Sequence, residues 1–250
     1  MKLFGATSRL LRATAHAVHG FWIIKTQFPK MDIAARQARV EIWSAHMLHI
    51  ARIELVVMGQ PPQSGPLLLV ANHISWLDIL VLHAAKHCRF ISKSDIQSWP
   101  VIGTLANGGG TLYVERTSRR DAHRMVGTMA DRLRAGDILA VFPEGTTSDG
   151  RGLKPFHANL IQAAIDAAVP VQPTSLSFID VATGSVSVAP AYVDDDTLAR
   201  SVWRTLTAPP FKAVVAFGEA QSADGRGRRE WASALQREIA KLRGDDSTNS

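Results

Sequence analysis

Asn72-His73-Ile74-Ser75-Trp76-Leu77-Asp78 stands where two patterns meet. Just before it, Pro66-Leu67-Leu68-Leu69-Val70-Ala71 is a short apolar run that predicts a buried strand. Just after it, Ile79-Leu80-Val81-Leu82 opens a helical pattern. A histidine therefore sits at a strand's carboxyl end, with an aspartate five residues on. Loops in that position carry the chemistry of many α/β proteins. With a helix starting at Ser75 or Trp76, Asp78 falls in its first turn and can reach back to the imidazole. A carboxylate on one ring nitrogen fixes the tautomer and leaves the other nitrogen as a general base. Ser75-x-x-Asp78 also matches a capping box, so Asp78 has a purely structural reading beside the catalytic one.

Outward from this stretch the chain alternates strands and helices. Strands are predicted at 53–58, 89–93, 111–114, 138–142, 169–176, 185–193 and 213–217. The 169–176 run holds Pro170 and Pro173, which predicts an edge or bulged strand. Helices are predicted over 79–86, 121–134, 156–168 and 230–243. The fold class is α/β: a mixed, largely parallel sheet flanked by helices, preceded by an N-terminal amphipathic helical hairpin. Residues 1–50 form that hairpin, 51–243 the catalytic domain and 244–250 a polar tail.

The hairpin is read from two stripes. Phe4, Leu11, Ala15, Val18 and Trp22 recur at helical spacing, while Arg9, Arg12, His16 and His19 form a separate basic face. Phe28-Pro29-Lys30 breaks this helix, and Asp32 offers the N-cap of the next. Arginines interrupt any signal-peptide core, and no uncharged stretch is long enough to span a bilayer. A helix lying in a membrane interface is the expectation, with an ordinary surface helix as the plain alternative.

Composition narrows the partners. Of 250 residues, 46% are apolar and 20% charged, which suits a sizeable core. Net charge is +6 and the pI is near 9.8, favouring an anionic partner. The single cysteine, Cys88, excludes an internal disulfide and points to a reducing compartment. His83, His87 and Cys88 cluster without a metal-site spacing, so no metal and no cofactor is expected. Asp194-Asp195-Asp196 reads as a solvated turn. No Walker loop or nucleophile elbow is present.

Four segments together resemble the glycerolipid acyltransferase family, whose best-known members are the lysophosphatidate (1-acyl-sn-glycerol-3-phosphate) acyltransferases. They are Asn72-His73-x-x-x-x-Asp78, Gly110-x-x-x-x-x-Arg116, Phe142-Pro143-Glu144-Gly145-Thr146 and Val169-Pro170-Val171-Gln172-Pro173. The resemblance spans residues 67–176. It implies that His73 is the general base and Asp78 its orienting carboxylate. It implies that Arg116 contacts an acceptor phosphate, with Glu144 and Gly145 helping to hold the acceptor; Thr146 beside them and Lys93, the basic end of a strand, are further substrate-binding candidates. Members acting on phosphate acceptors often carry arginine where Thr147 stands, so other lysolipids, lyso-ornithine lipid among them, are alternatives to the lysophospholipid.

The resemblance implies an O-acyltransferase of phospholipid biosynthesis. The donor would be acyl-CoA or acyl carrier protein and the acceptor a lysolipid. The enzyme would sit on the cytoplasmic side of the cell membrane, peripheral or monotopic, with no nucleic-acid partner. Two other classes compete. A serine hydrolase would use Ser75 or Ser148. A basic lipid- or nucleic-acid-binding module would leave His73, Asp78 and Glu144 unexplained.

Overall fold

The computed structural model describes residues 2–114 and 118–245. Two helices come first, α1 (Lys2–Thr26) and α2 (Ile33–Ala51). Asp32 caps α2 through a bond from Ala35 N to its Oδ1 at 2.7 Å. Then follow β1 (Glu54–Met58), β2 (Leu67–Ala71), α3 (Leu77–Ala85), β3 (Arg89–Lys93), α4 (Ile102–Gly108), β4 (Leu112–Val114) and α5 (Arg119–Arg134). The chain continues through β5 (Ile138–Val141), α6 (Gln162–Ala167), β6 (Val171–Asp180), α7 (Leu198–Thr207), β7 (Phe211–Phe217) and α8 (Arg228–Arg243).

The seven strands form one sheet in the order β1-β7-β6-β2-β5-β3-β4. Every pairing is parallel except β6 with β7. The mixed, largely parallel sheet is the one the sequence predicts. β2 lies at its centre, and alternate residues explain its unbroken apolar run. Leu67, Leu69 and Ala71 enter a core with α2 and α3, whereas Leu68 and Val70 enter a second core with α5, α6 and α8. A strand covered on both faces has no position left for a polar side chain.

Two strand expectations are corrected. β6 is not an edge strand, because it pairs with β2 on one side and β7 on the other. It tolerates Pro173 because the ladder is irregular there. The Thr174–Phe217 register is one residue out of step with the Val171–Gln221 bridge, and the Pro173 carbonyl still accepts from Gly218 N at 2.8 Å. The bulge half of the reading holds. Residues 185–193 form no strand; only Val186 bridges, to Ile179. They lie on the edge of β6 away from β7, beyond the end of β2, where contact is limited to Ser185–Ser187: Asp180 N donates to Ser185 O at 2.9 Å and Ser187 N to Phe178 O at 2.7 Å. The 156–168 helix is a short 3-10 turn at Ala158–Leu160 followed by α6. Helices α4 and α7 had no counterpart in the sequence reading.

The helical pair is docked on the domain. α2 packs against α3, and α1 lies across α2, α4 and α7. A Cβ on Gly20 would come 2.5 Å from Trp43 Nε1, so only glycine permits this helix approach. The outward stripe stays open: Phe4 is 86% and Trp22 57% exposed, with Leu11 and Val18 also exposed. Thus α1 packs through one apolar face and presents another. Arg9 departs from the expected basic face. It is half-buried and donates to the Leu206 carbonyl at the end of α7. Among the described residues no helix is long and apolar enough to cross a membrane.

Candidate active site

β2 delivers the histidine. At its end Asn72 is buried and mimics one more rung of the sheet: Nδ2 donates to Leu176 O at 3.0 Å, and Oδ1 accepts from Leu176 N at 2.7 Å. The chain then turns, and Asp78 organises the turn. Its Oδ2 accepts from Ile74 N at 2.7 Å and Ser75 N at 2.9 Å, and meets His73 Nδ1 at 2.8 Å. Ser75 Oγ accepts from Leu77 N at 3.2 Å. One oxygen of Asp78 therefore makes both the capping contact and the contact with the imidazole. The carboxylate is wholly buried and His73 is about one-fifth exposed. Nδ1 donating to Asp78 leaves the lone pair on Nε2, the arrangement a general base needs.

β5 delivers the other wall. Phe142 stacks on the His73 imidazole, with ring centroids 4.0 Å apart and planes 7° from parallel. Glu144 is 3% exposed, and both its oxygens accept backbone N–H groups, from His73 at 2.9 Å and from Lys154 at 2.9 Å. Burial, the largest influence, raises its pKa against the opposing pull of those two bonds and of the charges on His73 and Arg243. The carboxylate thus locks the loop after β5 to the histidine. Ser148 adds a second lock, donating from N at 2.8 Å and from Oγ at 3.1 Å to the His73 carbonyl. Both serine hydroxyls are engaged by backbone, Ser75 Oγ by Leu77 N and Ser148 Oγ by His73 O and Gly150 N.

Gly145 has a φ of +69°, and a Cβ there would come 3.0 Å from His157 Cδ2. Gly145, Thr146 and Thr147 line the cavity described below. Thr147 Oγ1 donates to the Tyr192 carbonyl, and Tyr192 N donates to Ile74 O at 3.0 Å. Lys93 ends β3 opposite Val114, but its side chain lies outside what is described, as does the whole of Arg116. Sequence reasoning missed Phe142 as the partner of the imidazole and Tyr192 as part of the loop frame. The aromatic residue at the end of a strand beside the histidine's strand was the available signal for the first. Nothing in the 185–193 pattern announced the second.

His73 opens on a cavity of about 840 Å³ running beneath the helical pair. Leu10, Ala17 and Ile24 of α1, Met47 of α2, Leu80 of α3, Leu105 of α4 and Val202 of α7 line it with mostly apolar side chains. An imidazole held by a buried carboxylate and lining an apolar cavity can deprotonate a hydroxyl beside a bound hydrocarbon chain.

Comparison with known proteins agrees. The family model described as Acyltransferase matches residues 52–177, which include both catalytic candidates and the loop after β5. A lyso-ornithine lipid O-acyltransferase of Pseudomonas aeruginosa is 31% identical over 242 residues, covering 96% of this chain and 92% of the relative. A 1-acyl-sn-glycerol-3-phosphate acyltransferase of Neisseria gonorrhoeae is 35% identical over 193 residues, covering 76% and 75%. The crystal structure of the 1-acyl-sn-glycerophosphate (LPA) acyltransferase PlsC from Thermotoga maritima shares the fold, with a TM-score of 0.76, 18% identity and coverage of 100% and 99%. Motif geometry, a matched half of the sequence and a full-length relative converge: the chain belongs to the acyltransferase family.

Proposed function

We propose that the protein moves a fatty acyl chain from a thioester, acyl-CoA or acyl carrier protein, to a free hydroxyl of a lysolipid at a membrane surface. The observation that carries this reading is the His73–Asp78 pair, 2.8 Å apart, with His73 lining the apolar cavity. His73 Nε2 takes the proton as the hydroxyl oxygen attacks the thioester carbonyl. The carbon–sulfur bond breaks and the proton passes to the departing thiolate. A thioester is already activated, so no acyl-enzyme is required. Asp78 holds the imidazole and stabilises its protonated form. The cavity takes the donor's acyl chain, while the acceptor's own chain stays in the bilayer. Arg116 and Lys93 are assigned to the acceptor headgroup with Gly145 and Thr146. Glu144 serves that site by positioning the loop.

The hydroxyl of Thr147 is committed to the Tyr192 carbonyl. It replaces no guanidinium, and this favours an acceptor other than a phosphomonoester. The full-length likeness to a lyso-ornithine lipid O-acyltransferase points the same way. Exposed Phe4, Leu11, Val18 and Trp22 of α1, with Ile33 and Ile42 of α2, support the membrane posture. The proposed cytoplasmic side is supported by the free, buried Cys88, which suits a reducing compartment.

Labelled acyl-CoA and acyl carrier protein, offered with a panel of lysolipids, test the reading. Transfer should appear with at least one lysolipid, and His73→Ala should abolish it while the melting temperature stays close to wild type. Full activity in that variant would refute the mechanism.

A further inference from the structure

Eight buried polar side-chain atoms lack a hydrogen-bond partner among the described residues. Three belong to residues lining the cavity: Ser44 Oγ on α2, His83 Nδ1 on α3 and Thr205 Oγ1 on α7. A hydroxyl on a helix can turn back to the carbonyl one turn earlier. An imidazole has no such recourse, so His83 is the sharper case.

His83 is 6% exposed. Its ring stacks on His87 at 5.3 Å and meets Phe90 edge-on at 5.0 Å. Burial, and then the neighbouring His87, lowers its pKa to about 3, so the ring is neutral and offers one donor and one acceptor. Nδ1 is enclosed by protein, so Nε2, which lies against Gly109, another lining residue, is the nitrogen that can face the cavity; a Cβ on Gly109 would come 3.0 Å from it. Rings connect it to the catalytic end. His73 stacks on Phe142 at 4.0 Å, Phe142 on Phe90 at 5.9 Å, and Phe90 touches His83. A chain that starts at His73 passes two aromatic rings before it meets this imidazole.

An unbonded imidazole in an apolar wall is costly, and leucine would seal the same wall without that cost. A water is a poor partner, because it needs several polar neighbours. We propose that His83 selects donors whose acyl chain carries an oxygen substituent, a hydroxyl several carbons from the thioester, by hydrogen-bonding that oxygen inside the cavity. The inference rests on the reading of the cavity as the donor-chain site.

The test compares acyl-CoA donors of one chain length, unsubstituted or with a single hydroxyl at successive positions. The readout is the ratio of kcat/KM for hydroxylated to unsubstituted donor. One mid-chain position should be preferred by about fivefold, the range of one neutral hydrogen bond. His83→Leu should bring the ratio to one or below, and His83→Gln, which keeps a donor and an acceptor, should retain part of the preference. Transfer of unsubstituted chains with no preference at any position overturns the proposal and leaves acyl transfer standing. A preference that survives in His83→Leu also overturns it. Turnover of no donor at all would instead remove the acyl-transfer reading beneath it. If His83→Leu fails to fold, the wild-type ratio still decides.

Discussion

Phe142 lies flat on the imidazole of His73, with centroids 4.0 Å apart and planes 7° from parallel. Asp78 restrains the ring at one nitrogen, and Phe142 restrains its plane. Phe142→Ala should therefore lower kcat by about tenfold, since a small displacement of a reacting group already has a large effect on rate. KM for the donor should change less. An equal loss in both would mean that Phe142 acts mainly by lining the donor cavity.

Asp78 is the stricter case. One oxygen serves three donors, and an amide in its place cannot fix the same tautomer. Asp78→Asn should reduce kcat by about 10³. It should also lower the melting temperature, because the turn loses the charge that organised it. Activity within tenfold of wild type would assign Asp78 to capping alone.

Glu144 gives a pH signature. Its pKa is raised in the folded protein, chiefly by burial. A raised pKa means that the folded state holds the proton more tightly than the unfolded chain. The associated stability is present below the ordinary glutamate value and is lost as pH rises through the folded pKa above it. Glu144→Gln lacks this titration. Its stability difference from wild type, measured by denaturant unfolding across that window, should shift steadily against wild type as pH rises. A difference independent of pH would contradict the assignment. Activity of the variant should fall, because one of the two backbone N–H groups loses its acceptor.

Gly145 combines a left-handed backbone with a tight neighbour. Gly145→Ala should destabilise by about 1–3 kcal/mol, from the positive φ and the contact with His157. Adding His157→Ala should restore the part due to contact and leave the backbone part. Thermal unfolding of the two variants separates them. Full recovery in the double variant would show that the backbone costs nothing there.

The outward stripe of α1 should anchor the enzyme. Phe4→Ser with Trp22→Ser should weaken liposome binding by at least tenfold, since burying each such side chain is worth about 1.5–3 kcal/mol. Arg12→Glu should weaken binding to anionic vesicles in a salt-dependent way. Arg9 is a poor choice for this test because it holds α7 through the Leu206 carbonyl. Transfer to a short-chain, water-soluble acceptor should be nearly unchanged in the Phe4/Trp22 and Arg12 variants. Equal loss on both kinds of acceptor would show that the stripe serves the fold and not the membrane.

What was legible in the sequence follows from how local each signal is. The run 66–71 is readable because a strand covered on both faces must be apolar throughout. The His73–Asp78 pair is readable because a single turn brings the two together. Glu144 was readable as a site residue, but its grip on the His73 backbone was not, since nothing in the sequence says which oxygen faces inward. Ser185-Val186-Ser187-Val188 alternates as a strand should, yet it meets β6 only through the single Val186–Ile179 bridge, on the edge away from β7. α7 carries its own signal: Thr197 accepts from Arg200 N at the N-cap, and Leu198, Val202 and Leu206 follow at steps of four. α4, with four weak helix formers (Gly103, Thr104, Asn107 and Gly108) among its seven residues, draws its support from α1, where Ile24 packs against Gly108.

The clamp between Asn72 and Leu176 spans 104 residues of chain, and the bond from His73 N to Glu144 spans 71. Parallel pairing of β2 with β5 and β6 forces both distances, because each partner arrives only after a helical crossover. The setting of His73 is therefore among the last things the polypeptide can acquire as it folds. A nascent chain that has not yet yielded Leu176 has no strand to receive the Asn72 amide, however well its helices have formed. Contacts of such separation close late and slowly. Competence for chemistry should thus appear together with completion of the sheet's centre, and no amino-terminal fragment ending before β6 should show it.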